Sequence, residues 1–262
     1  MSDFLSVAVD AARSAGQLLR GELGGTRRIQ YKGVINIVTE MDHRAEALIV
    51  GKIHAAFPEH AVLAEESGAT SGRSAYRWLI DPLDGTSNYA HGLPLFAVSV
   101  GLEHAGTMEL GVAYDPNHDE CFVAERGRGA TLNGEPIRVS ACTSLDQSLL
   151  VTGFPYDIRT TTDTNLPEYA ELSLRSLAVR RLGSAVLDLC YVACGRFEAF
   201  WELTLGPWDM AAGALLVQEA GGRVSDVRGG PWRLEGPGVL ASNGHVHDAV
   251  LEALRAARPD RR

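Results

Sequence analysis

The chain has 262 residues, 45% hydrophobic and 22% charged, with a formal net charge of −9. That is enough apolar material for a large core in one domain or two packed lobes, and the wrong sign of charge for general binding to a nucleic-acid backbone or an anionic membrane. No continuous apolar run is long enough to cross a bilayer and the N-terminus lacks the basic-then-apolar layout of an export signal, so a cytoplasmic protein is expected. Cys121, Cys142, Cys190 and Cys194 make no Cys-x-x-Cys pair and no zinc spacing, which fits a reducing compartment.

Phe4, Leu5, Ala8, Ala11, Ala12, Ala15, Leu18 and Leu19 recur at helical spacing and predict an amphipathic helix that ends at Gly21 to Gly25. Ile29 and Tyr31 read as a strand, and Lys32-Gly33 as a mobile flap. Thr39 then predicts the cap of a helix reaching about Phe57, with Asp42 in its first turn, where the plain role of a carboxylate is to face the helix dipole. Residues 61–64 form a short apolar strand that ends in Glu65-Glu66, whose plain reading is a solvated loop.

The next stretch is the richest in chemistry. Trp78 to Asp81 read as the end of a buried strand, which Pro82 should stop because it cannot donate to a ladder; Gly85 permits a turn, and Thr86 reads as a helix cap. Asp81 and Asp84, with two residues between them, crowd hard oxygen ligands together, and a shared cation relieves their repulsion. The plainer alternative is a capped Asp-Gly turn. A calcium EF-hand does not fit: with Gly85 as its sixth residue, Ile80 and His91 would occupy positions that require carboxylates.

Residues 95–102, 109–114 and 121–124 predict an antiparallel meander, with a hairpin turn at Asn133-Gly134. Gly127 and Gly129 do not open a dinucleotide fingerprint. Near 144–147 the pattern changes to alternating helix and strand, which divides the chain into lobes at 1–146 and 147–262. The second lobe reads as strand 149–152, helix 166–177, strand 179–182, helix 184–194 and strand 199–203. A helix opening at Pro207-Trp208-Asp209 follows, then strand 239–242 and a last helix 245–257.

Glu65-Glu66-Ser67, the run from Trp78 to Asn88, and Trp208-Asp209-Met210-Ala211-Ala212-Gly213 resemble, in order and separation, three motifs of the inositol monophosphatase family of lithium-sensitive, magnesium-dependent phosphatases. The resemblance implies an α/β (α+β) fold, a layered αβαβα sandwich with the site between the lobes. It implies two or three Mg2+ ions, the first on Glu65, Asp81 and the Leu83 carbonyl, the second on Asp81, Asp84 and Asp209, with Glu65 bordering a third. Asp42 and Thr86 would orient the attacking water, with Glu65 beside them in the catalytic set, and the backbone N–H groups of Gly85 and Thr86 would hold the phosphate. The hydroxyls of the leaving group would meet Asp84, Ser184-Ala185, Glu202 and Asp209, and Lys32 would lie in the flap. The plain readings are a helix cap for Ser184 and a solvated strand end for Glu202.

Thr86-Ser87-Asn88-Tyr89 and His91-Gly92 resemble the branch that hydrolyses inositol 1-phosphate. Fructose 1,6-bisphosphate, histidinol phosphate and 3'-phosphoadenosine nucleotides are the alternatives; Arg180 and Arg181 could meet a second phosphate, although surface charge is their plain reading. A homodimer with a small phosphate monoester as its partner is implied, with no nucleic-acid substrate. A regulatory protein that retains the fold is the reading from another class.

Overall fold

A computed structural model describes residues 3–25, 29–31, 37–236 and 238–258. The helix α1 (Asp3–Glu22) leads to an antiparallel ribbon of β1 (Ile29–Tyr31) and β2 (Ile37–Thr39), and then to α2 (Glu40–Ala56). An eight-stranded sheet follows, built from β3 (Ala61–Ala64), β4 (Gly68–Thr70), β5 (Tyr76–Asp84), β6 (Ala97–His104), β7 (Thr107–Asp115), β8 (Glu120–Glu125), β9 (Gly129–Leu132) and β10 (Glu135–Pro136), with the short helix α3 (Thr86–Ala90) between β5 and β6. Its order is β10-β9-β8-β7-β6-β5-β3-β4, antiparallel throughout except for the β3–β5 pair. The meander expected between residues 95 and 124 is its centre.

The remaining elements are β11 (Leu149–Thr152), α4 (Leu166–Arg175), β12 (Ala178–Arg180), α5 (Ala185–Ala193), β13 (Ala199–Glu202), α6 (Pro207–Glu219), β14 (Arg223–Ser225), β15 (Val239–Ser242) and α7 (His247–Ala256). Their five strands form a second sheet in the order β12-β11-β13-β15-β14.

Five layers result. α1 and α2 cover one face of the eight-stranded sheet, and α5 and α6 fill the space between its other face and the five-stranded sheet; α4 and α7 cover the outside. The side chains explain the stacking. α1 buries Leu5, Ala8, Ala11, Ala12, Ala15 and Leu19 on one stripe, as a surface helix does. α6 buries every residue from Met210 to Val217, and α5 every residue from Ala185 to Cys190, because each has a sheet on two sides. Glycine lets the inner layer come close: a Cβ on Gly111 of β7 would lie 2.8 Å from the Ala212 Cα of α6.

Several expectations change. β5 does not stop at Pro82. The ladder to β6 holds through Asp81↔Ser99, skips Pro82 and Leu83, and resumes at Asp84↔Ala97. Pro82 lacks the N–H and the Leu83 N–H turns instead to Asp81 Oδ1 at 2.9 Å, so the break is a bulge inside one strand. The short strands β4, β9, β10 and β14 carry too few residues to show a period in sequence. Gly127 and Gly129 lie at the β8–β9 turn, where their N–H groups donate to the Glu219 carboxylate, each at 2.9 Å. All four cysteines are free thiols. Among the described residues no helix is long and apolar enough to cross a membrane.

Candidate active site

The bulge places Asp81 and Asp84 at one end of β5, and the chain then reverses through Gly85 in a left-handed conformation with φ 102°. A Cβ there would lie 2.8 Å from the Leu95 carbonyl oxygen, so backbone and space both require glycine. Thr86 opens α3 but its hydroxyl does not cap it. Thr86 Oγ1 sits 3.0 Å from Asp42 Oδ1 and 3.0 Å from the Leu83 carbonyl oxygen, and its single proton serves one of them at a time.

Asp42 reaches this point from the first turn of α2. Its Oδ2 accepts the Thr39 N–H at 2.8 Å and the Thr39 hydroxyl at 2.7 Å, so the same side chain braces the helix start and faces Thr86. Burial raises its carboxyl above the usual range, against the lowering effect of the bonds from Thr39 and Thr86. One turn further along α2, the buried Glu46 accepts the N–H groups of Glu66 at 2.8 Å and Ser67 at 2.9 Å. It thereby fixes the loop that carries Glu65.

A cavity of about 360 Å³ opens here, and all the candidate metal ligands, Glu65, Asp81, Leu83, Asp84 and Asp209, line it. So do Gly85, Thr86, Ser184, Ala185 and Glu202. Asp209 comes from the start of α6, where the Gly206 N–H donates to its Oδ2 at 2.6 Å. Lys32 lies outside the described residues.

The second lobe contributes differently from the plain readings. Ser184 stands at the N-cap of α5 without making a cap bond; its hydroxyl donates to Asp84 Oδ2 at 2.7 Å instead. The Val186 N–H donates to the same oxygen at 2.6 Å, and the Ala185 N–H also bonds the Asp84 carboxyl. Glu202 is not a solvated strand end, being only 7% exposed. Its carboxyl lies where Gly153 leaves room: a Cβ on that glycine would fall 2.1 Å from Glu202 Oε2. The buried Asn88 ties the two sheets together beside the cavity by donating to the carbonyls of Leu95 and Leu182, both at 2.8 Å.

The electrostatics follow from crowding. Burial first, then Glu65, Asp84 and Asp209, holds Asp81 well above the ordinary carboxylate range. Burial, then Asp84 and Glu65, does the same for Asp209, against the lowering effect of the bond from the Gly206 N–H. Burial lifts Asp84 to about 6 against the opposing bonds from Ser184, Val186 and Ala185. Glu202 is pushed up to about 8 by burial, then by Asp209 and Asp84, with Arg181 opposing.

The acids line an open cavity; among the described residues no three acidic, histidine or cysteine side chains close into a compact metal cluster. The donor set nonetheless fits a hard divalent cation. It consists of carboxylates and one carbonyl oxygen, it contains no sulfur or imidazole, and its members raise one another's proton affinity where a cation would instead satisfy them.

These layers and this cavity have known counterparts. Residues 1–258 match the sequence model of the Inositol monophosphatase family. An inositol-1-monophosphatase from Synechocystis is 45% identical over 98% of this chain and 90% of its own length. A protein named Nus factor SuhB from Pseudomonas aeruginosa is 45% identical over 99% of this chain and 98% of its own. Among solved structures, the inositol monophosphatase from Anabaena superposes with a TM-score of 0.89 at 45% identity, covering 98% of this chain and 97% of that one. The Thermotoga maritima IMPase gives 0.90 at 36% identity, covering 98% and 99%. The chain belongs to the inositol monophosphatase family, a family of metal-dependent phosphatases, and is itself a phosphatase.

Proposed function

We propose that this phosphatase hydrolyses inositol 1-phosphate with magnesium as its cation, two or three ions to a site. The observation that carries the reading is one cavity lined by Glu65, Asp81, Asp84 and Asp209 with the Thr86–Asp42 pair at its edge. Glu65, Asp81, Asp84, Asp209 and the Leu83 carbonyl would hold the ions. A bound divalent cation supplies positive charge that acidifies water and neutralises phosphate oxygens.

The chain's own groups do the positioning. When the Thr86 hydroxyl gives its proton to Asp42, its oxygen presents a lone pair to a water, which fixes the direction from which that water meets phosphorus. Burial keeps Asp42 more basic than a carboxylate in water, and basicity suits it to draw a proton through Thr86. The backbone N–H groups of Gly85 and Thr86 are assigned to the phosphate, and Glu202, Asp84 and Asp209 to hydroxyls on the leaving group. Ser184, with the Ala185 N–H, serves that end of the site by setting the position of Asp84.

Phosphate release from chelator-stripped protein tests the reading, with and without magnesium, against inositol 1-phosphate, fructose 1,6-bisphosphate, histidinol phosphate and adenosine 3',5'-bisphosphate. Magnesium-dependent release fastest from inositol 1-phosphate is the expected result. Faster release from another of the four would replace the substrate, and release that ignores magnesium would remove the cation from the account. A homodimer, implied by the resemblance, is checked by sedimentation. The name Nus factor carried by some relatives belongs to those proteins; the presence of the whole acidic set is what favours catalysis here.

A further inference from the structure

The chain that leaves β11 lines the catalytic cavity from Gly153 to Asp157, and it is anchored on both sides of Tyr156. Before it, the Asn165 amide donates to the Gly153 carbonyl at 2.6 Å, and the Phe154 ring meets that of Tyr169 on α4 with centroids 5.7 Å apart. Pro155 is buried, and its carbonyl accepts the Ile158 N–H at 3.1 Å, which closes a turn with Tyr156 at its first central position. After it, the Asp157 carbonyl accepts the N–H groups of Thr160 at 2.8 Å and Thr161 at 2.9 Å. A tyrosine on such a turn has only its two side-chain torsions left to fix, so presenting it to a ligand costs little conformational entropy.

Among the described residues Leu93, Tyr156, Leu166, Leu174 and Leu177 are large hydrophobic side chains that stay exposed, and of these Tyr156 alone lines the cavity. It is 55% exposed, yet its phenol end faces the acids. Burial of that end first, then the charges of Asp209, Asp84, Glu65 and Asp81 in that order, push the phenol above its ordinary range. These are the four carboxylates assigned to the cations. The phenol thus keeps its proton and stays a donor at any pH where the enzyme is folded. It reaches the cation site from the five-stranded sheet, whereas Gly85 and Thr86 reach it from the end of β5 in the eight-stranded sheet.

Cations on those acids would take up the carboxylate lone pairs, and the group that cations draw in is the phosphate. Ionised carboxylates only accept hydrogen bonds, so the acids themselves offer the phosphate oxygens no donor. The donors assigned to it so far, the N–H groups of Gly85 and Thr86, come from one wall. A neutral hydroxyl on the facing wall adds a donor without adding charge, and a tyrosine O–H is among the groups that stabilise charge developing on oxygen. A leaving-group hydroxyl is the weaker match, because the acids that act most on the phenol are the cation ligands and not Glu202. Resting on the cation site proposed above, but not on the choice of leaving group, we propose that the Tyr156 hydroxyl donates a hydrogen bond to the substrate's phosphate, from the side facing the Gly85 and Thr86 N–H groups.

The test compares the wild-type enzyme with Tyr156→Phe and Tyr156→Ala, measuring kcat and KM on inositol 1-phosphate and on phenyl phosphate, whose leaving group has no further hydroxyl, together with inhibition by inorganic phosphate and the magnesium dependence of the rate. Tyr156→Phe keeps the ring and removes only the donor. It is expected to lose roughly 10- to 100-fold in kcat/KM on both substrates alike, as for a hydrogen bond to a charged group, and to be inhibited by phosphate at least about fivefold more weakly. Its magnesium midpoint and thermal midpoint should match the wild type. Tyr156→Ala is expected to show the same loss or more. A Tyr156→Phe enzyme with unchanged kcat/KM and unchanged phosphate inhibition would overturn the inference, most plainly if Tyr156→Ala alone were impaired, since the ring and not the hydroxyl would then matter. A loss confined to inositol 1-phosphate would overturn it by moving the hydroxyl to the leaving group, and a loss that added magnesium restores would overturn it by moving the hydroxyl to the cation ligands. Wild-type release that ignores magnesium would remove the cation reading and this inference together, whereas a wild type that cleaves phenyl phosphate but not inositol 1-phosphate would replace the substrate alone, with Tyr156 decided on phenyl phosphate.

Discussion

Trp201 and Glu202 are neighbours on β13 and point to opposite faces of the five-stranded sheet, and their surroundings could hardly differ more. On the outer face Trp201 packs in an apolar cluster with Leu150, Leu240 and Leu251, and its Nε1–H donates to Asn165 Oδ1 at 2.7 Å. The Asn165 amide in turn donates to Thr152 Oγ1 at 2.8 Å and to the Gly153 carbonyl at 2.6 Å. Nearby, the buried His247 joins the Ser242 and Ser225 hydroxyls through its two ring nitrogens, at 2.8 and 2.9 Å. On the inner face Glu202 meets Asp84, Asp188 and Asp209, all acids that burial drives toward protonation. One face has its polar groups matched inside the protein, as stability demands, while the other crowds acids that raise one another's proton affinity, the pattern expected of a functional site.

The comparison breaks most visibly at Asp81. Asp81→Asn should leave the fold intact and lower kcat by roughly 10²–10³-fold or more, the scale on which single electrostatic groups act in a catalytic centre. Circular dichroism beside phosphate release reads both quantities, and normal turnover in this variant would refute the shared-cation site. Glu46→Gln is one step removed: it weakens the grip on the Glu66 and Ser67 N–H groups without touching the cavity acids. A loss of about 10- to 100-fold in magnesium affinity or activity is expected, as for partners that orient ligands, and is measured by magnesium titration of the rate.

Asn165→Ala sharpens the contrast from the other side. It should cost about 1–3 kcal/mol for each buried group it orphans, seen as a lower urea midpoint, while kcat of the folded fraction stays near that of the wild type. A drop in kcat with unchanged stability would place Asn165 in the site instead of in the scaffold.

The smallest effect is a slope. Glu202 binds its proton more tightly folded, at about 8, than unfolded, near 4.5, so the folded state carries more protons between those limits and its stability falls as pH rises through them. Asp84 adds the same sign between 3.8 and about 6. For His247 the same cause has the reverse sign: lowered by burial to about 4, it stays neutral when folded, and stability is lost as pH falls from 6.5 toward 4. Thermal melts of chelator-stripped protein from pH 5 to 9 should decline on the alkaline side, and Glu202→Gln should flatten the part of that decline near pH 8. An unaltered curve would contradict the placement of Glu202 among the acids.

How much of this is legible in sequence depends on whether the signal is local. Asp81 and Asp84 are readable because two acids at the end of an apolar strand already imply crowding, and Asp209 because Pro207 marks the helix start that presents it. The five layers are legible only through the family resemblance; the local pattern shows the helical stripe of α1 and the largely apolar α5 and α6. Glu46 is not readable: its partners are N–H groups twenty residues away, and its only local sign is the one-turn spacing from Asp42 on the same helix. Gly153 matters because a carboxylate from another strand approaches it. Pro82 misleads because a bulge rescues the strand that proline should end, with the Asp81 side chain supplying the missing acceptor. Thr86 misleads because an hydroxyl at a helix start has a better partner in Asp42 than in its own backbone.

We infer that the acids around Asp81 form a cation site held in check by protons. Calorimetric titration of magnesium into chelator-stripped protein near pH 6.5, in two buffers of different ionisation enthalpy, measures it without reference to any substrate. Binding that releases protons, and that weakens sharply together with that release in Asp81→Asn, is the predicted result. Magnesium that fails to bind, or that binds the variant as tightly and with the same proton release as the wild type, would contradict it.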